Sequence, residues 1–141
     1  MIDKIGTIRN ILTGVVAIQV VTDAIALLAE TSGTLAADGN EQDIVLVNAP
    51  AGVFKPLTIK IDLDLMQAGD TTEIRVYDRI INGGGLQQTS YQTYTGADGG
   101  LLNSNKVIYV DLKENRHGIQ VTLWQTGGVN RSYDWEYLYE S

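Results

Sequence analysis

Leu57-Thr58-Ile59-Lys60-Ile61-Asp62-Leu63-Asp64-Leu65 decides the fold. Every second residue is aliphatic, and threonine, lysine and aspartate fill the positions between. Successive side chains of an extended chain leave on opposite faces, so this stretch reads as a strand with one apolar and one polar face. The same period of two recurs in both directions. Downstream, Thr72 to Ile81 carries Ile74, Val76 and Ile80 inward, with Asp78 an awkward member of that face. Leu86 to Thr95, Lys106 to Leu112, Ile119 to Thr126 and Ser132 to Tyr139 follow, separated by glycine-rich turns. Upstream, Thr34 to Ala36 and Asp43 to Val47 flank the turn pair Asp38-Gly39. Roughly eight strands at this spacing predict an antiparallel β-sandwich of jelly-roll type, assigned to residues 32–141.

The N-terminal stretch has a different period. Ile8, Ile11, Val15, Ile18, Thr22, Ile25 and Ala29 succeed one another at alternating steps of three and four. That spacing predicts one long amphipathic α-helix over residues 5–29, within an assembly segment 1–31. Asp3 would cap its start, and Thr31-Ser32-Gly33 would end it. Such a stripe needs cover, either from the chain's own sheet or from other chains. β-Branched residues at both seam positions favour three or four helices over two. A homotrimer joined through Ile8, Ile11, Val15, Ile18 and Ile25 is therefore expected. Lys4 and Arg9 ahead of Ile11 to Val21 faintly resemble a secretory leader, but the sequence retains Met1, so cleavage is not expected. Gln19, Thr22 and Asp23 interrupt the run, so a membrane span is not expected either.

Composition narrows the chemistry. The 141 residues include 44% hydrophobic and 19% charged residues, ordinary for a folded domain. The net charge is −7 and the basic residues are scattered, which argues against a nucleic-acid partner. Cysteine is absent, which removes disulfides, thiolate metal sites and cysteine nucleophiles. His117 is the sole histidine and sits before a glycine, as a turn residue would. Ser90, Ser104 and Ser132 lack the Gly-x-Ser-x-Gly elbow of a hydrolase. Asp62, Asp64 and Asp70 do not match a calcium loop, and alternation alone places the first two on a solvated face. The glycine clusters at 83–85 and 96–100 lack the lysine and helix of a phosphate loop. No catalytic residue, metal site or cofactor is expected, and the chain does not read as an enzyme.

The last strand gathers aromatic residues on one side: Tyr133, Trp135, Tyr137 and Tyr139, with Trp124 on the strand before. Three readings of this row stand open. It packs in the core, it meets another subunit, or it stacks on the faces of sugar rings.

Three stretches carry a resemblance: Ser32-Gly33-Thr34-Leu35-Ala36-Ala37-Asp38-Gly39-Asn40-Glu41-Gln42, Ala68-Gly69-Asp70-Thr71-Thr72-Glu73-Ile74-Arg75-Val76-Tyr77, and Val121-Thr122-Leu123-Trp124-Gln125-Thr126-Gly127-Gly128. Together with the N-terminal segment they resemble small structural proteins of tailed phages and archaeal viruses. The resemblance spans roughly residues 32–139 and is one of pattern, with no catalytic motif. It implies a virion surface component, such as capsid decoration, spike, turret or tail-associated protein. Its implied partners are copies of itself and other virion structural proteins. The competing expectation is a carbohydrate-binding module for host or surface attachment.

Overall fold

The computed structural model describes residues 28–48, 55–101 and 106–140. Eight strands occur in them: β1 (Leu28–Ala36), β2 (Glu41–Val47), β3 (Lys55–Asp62), β4 (Thr71–Arg79), β5 (Leu86–Thr95), β6 (Val107–Asp111), β7 (Ile119–Gly127) and β8 (Ser132–Glu140). They form two antiparallel four-stranded sheets, ordered β1-β8-β3-β6 and β2-β7-β4-β5. The pairs β1 with β8, β2 with β7, β3 with β6 and β4 with β5 are nested, like the two arms of one long hairpin. Rolling that ribbon brings β8 beside β3 and β7 beside β4. This is the strand order of a jelly roll.

The core lies between the sheets. Ile59, Ile61 and Leu63 face Ile74, Val121 and Leu123 in one continuous apolar layer. Each such side chain contributes about 1.5–3 kcal/mol by leaving water. Two positions depart from simple alternation. A bulge between Pro56 and Thr58 turns Leu57 outward. β4 ends at Arg79, so Ile80 is exposed in the following turn and does not join the inner face.

The expectation of a long N-terminal α-helix is corrected. The described residues contain no α-helix, only the 3-10 turn Ala97–Gly100. Leu28 to Thr31, the expected last turn of the helix, instead open β1 and pair with Glu140 to Tyr137 of β8. β1 also runs through the anticipated boundary at 31/32. The physical reason is local. Thr31, Ser32, Gly33 and Thr34 are weak helix formers. Gly33 lies opposite Trp135, and a Cβ there would come within 3.1 Å of the indole ring. A strand glycine of this kind marks a close approach by a neighbour. Ile8, Ile11, Val15, Ile18 and Ile25 lie outside the described residues.

Candidate functional site

A buried polar node ties the two sheets together at one end. Asp70 is 1% exposed and its carboxylate accepts hydrogen bonds from Arg131 Nε (2.7 Å), Gln67 N (2.8 Å) and Val129 N (3.1 Å). The Arg131 bond lowers the Asp70 pKa most; burial opposes it, and the two backbone amides add to the lowering. Beside it, the Tyr133 hydroxyl on β8 meets Thr72 Oγ1 of β4 (2.7 Å) and donates to Gln125 Oε1 of β7 (3.1 Å). Gln125 Oε1 also accepts from Arg131 N at 2.8 Å. Every one of these buried polar atoms has a partner, as interiors require. The node joins strands; its acid is held by an arginine and two amides and has no facing carboxylate.

The outer face of β2, β7 and β4 carries a second, half-buried network. Glu41 Oε1 accepts from Thr122 Oγ1 (2.6 Å) and Tyr77 OH (2.7 Å), and Oε2 accepts from Arg75 NH1 (2.9 Å). Arg75 also binds Glu73 and lies 4.7 Å from the centroid of the Trp124 ring. Trp124 Nε1 donates to Gly39 O at 2.9 Å. Burial would raise the Glu41 pKa, but the Thr122 and Tyr77 hydrogen bonds and the Arg75 charge outweigh it and hold it low. Glu41 is therefore a fixed anion at neutral pH, not a poised proton donor. The arrangement stiffens a sheet face, and the cation–π contact adds about 0.5–1 kcal/mol.

The aromatic row of β8 turns inward. Tyr133 and Tyr137 are 0% and 4% exposed, and Trp135 and Tyr139 pack against the core. Tyr137 and Tyr139 stack with centroids 5.0 Å apart. Trp124 sits on the opposite sheet, facing outward beneath Arg75. The five aromatics thus belong to two places and form no single open platform for a sugar. Trp135, Tyr137 and Tyr139 line a groove of about 350 Å³ with Ile44, Val45 and Val47, on the β1–β2 flank.

The other flank, between β5 and β6, was not singled out by sequence. Its cleft of about 170 Å³ has Ile74, Val76, Tyr94 and Val110 at its base and the polar side chains of Ser90, Gln92, Tyr109 and Asp111 around them. Three large side chains of the two edge strands stand exposed: Tyr109 (66%) at the cleft itself, and Tyr91 (57%) and Val107 (40%) on the outer faces of β5 and β6. Tyr91, Val107 and Tyr109 belong to edge strands, whose place only the topology reveals. These flanks, with their unpaired strand edges, are the candidate interaction surface.

The remaining candidates have structural positions. Asn115 Oδ1 accepts from His117 N (2.7 Å) and Gly118 N (2.6 Å), closing the turn before β7. Asp62 Oδ1 accepts from Asp64 N at 3.0 Å, and Asp70 belongs to the node above. Among the described residues no three acidic or histidine side chains gather where a metal could bind. Gly96 N and Asp98 N donate to Asp70 O and Met66 O, so the 96–100 loop docks on the β3–β4 turn. Ser104 lies outside the described residues. Among those residues no helix is long and apolar enough to cross a membrane.

No protein-family profile and no curated protein matches the sequence. Among solved structures the chain is similar to the VP2 subviral particle of infectious bursal disease virus, with a TM-score of 0.46 and 9% identity. That similarity covers 83% of this chain, which spans only 32% of the length of the other.

Proposed function

We propose that this chain is a non-enzymatic structural protein of a virus particle, a jelly-roll unit that assembles with copies of itself and with other particle proteins. The observation that carries this reading is the pair of sandwich flanks. The β1–β2 flank presents an apolar, aromatic-lined groove, and the β5–β6 flank a mixed cleft where Tyr94 and Tyr109 meet Ser90, Gln92 and Asp111, each between two edge strands. An edge strand offers unpaired backbone groups, and apolar side chains beside it add a reason for contact. Jelly rolls serve as viral capsid domains and as lectins, so the architecture permits this role without dictating it. The sequence resemblance to phage and archaeal-virus structural proteins favours the capsid side. The inward turn of Tyr133 and Tyr137 removes the exposed row that motivated the sugar-binding alternative.

The mechanism is geometric. The Asp70 node ties the two sheets together and the Glu41–Arg75–Trp124 network braces the outer face of one of them, so the flanks meet their partners with little loss of side-chain freedom. Multi-angle light scattering of the purified full chain tests this. A mass of two or more chains at micromolar concentration is expected. A strict monomer at all concentrations would remove the self-assembly on which the reading depends.

A further inference from the structure

β5 differs from every other edge strand among the described residues. The four edges are β1, β6, β2 and β5. β1 carries Glu30, β2 carries Glu41 and Asp43, and β6 ends in Asp111. β5, Leu-Gln-Gln-Thr-Ser-Tyr-Gln-Thr-Tyr-Thr, has ten residues with no charge and no proline. Charges and prolines are the usual means of keeping an edge from pairing. β5 lacks both, and most of its residues are exposed.

We propose that β5 pairs antiparallel with β5 of a second copy, joining two β2-β7-β4-β5 sheets into one across a two-fold axis. This rests on the self-assembling role proposed above and names the surface that performs it. The occupant is argued from charge. Two copies of a chain carrying −7 repel each other, so contact costs least along a seam without charge. At a two-fold axis a strand meets itself, and a charged residue near the centre would face its own copy. None is present in β5. Glutamine, serine, threonine and tyrosine side chains supply both donors and acceptors, so they can pair with themselves. The bulge between Val76 and Tyr77 skips Thr89 in the register with β4, its hydroxyl donating to Val76 O instead, which limits regular pairing to Ser90 through Thr95. The same approach would cover the exposed Tyr91 ring on β5.

The test compares two single substitutions in the full chain, each at an exposed position. Thr93→Lys puts a charge on the outer face of β5, opposite Glu73 of β4. Ser32→Lys puts the same charge on β1. Both reduce the general repulsion between copies, so only a local effect can weaken association. Sedimentation velocity should show association at least about tenfold weaker for Thr93→Lys and unchanged for Ser32→Lys. Native melting of both variants confirms folding. Hydrogen exchange of the unmodified chain should show β5 amides slowing as concentration rises, which keeps the proposal testable if T93K melts early. Wild-type-like association of a folded T93K, or concentration-dependent protection on β1 or β2 instead of β5, would overturn the β5 seam and leave the broader role standing. A chain that never self-associates would overturn both.

Discussion

Asp70 is a carboxylate taken out of water and held charged by Arg131 and two backbone amides. Its folded pKa lies below the ordinary value of 3.8. Its stabilising effect is therefore complete above that ordinary value and disappears as pH falls through the folded one. Melting temperature should fall as pH drops below about 4, and D70N should flatten that acid limb while costing about 3 kcal/mol at neutral pH. An acid limb of unchanged slope in D70N would assign acid sensitivity elsewhere. Tyr133→Phe is a gentler probe of the same node. It leaves Thr72 and Gln125 each short of one bond in the interior and should cost about 1–3 kcal/mol in urea unfolding. A neutral substitution would mean that water or a rotated hydroxyl takes over. Neither partnership was legible in the sequence, because Asp70 and Arg131 are far apart in the chain and meet only when β4 and β8 are stacked.

The strands themselves were easier to read. β3 alternates aliphatic and polar residues so regularly that its inner face was plain, and only the bulge at Leu57 broke the pattern. β8 also alternates, with aromatic rings on one face and Asp134, Glu136 and Glu140 on the other, but tyrosine and tryptophan suit contact surfaces as well as cores, so its residues alone left the role of that row open. β1 was hidden for another reason. Its first residues continue the three-and-four spacing of the segment before them, and local period says nothing about the aromatic partners waiting on β8. Pairing with β8 overrides that period, and Gly33 is what permits it. Gly33→Val should therefore push the Trp135 ring out of place and cost about 1–3 kcal/mol. Thermal melting, with Trp135 fluorescence reporting the displaced indole, measures it. A melting point unchanged within error would show that the ring gives way freely.

At the scale of the whole molecule, the two flanks could not be seen in the sequence at all. β5 has no apolar alternation and no charge, and nothing in its residues announces that it lies on an edge. That position follows from the nested pairing of the eight strands, which leaves β1, β2, β5 and β6 each with one unpaired side. Closed barrels remove such edges; an open jelly roll must guard them or use them. In the role we propose, this molecule uses them to build a larger body. Sedimentation equilibrium of the full-length chain over a wide concentration range is the most direct test. The expected result is a reversible rise in mass above the monomer as concentration increases, and a single monomer mass across the whole range would contradict that role.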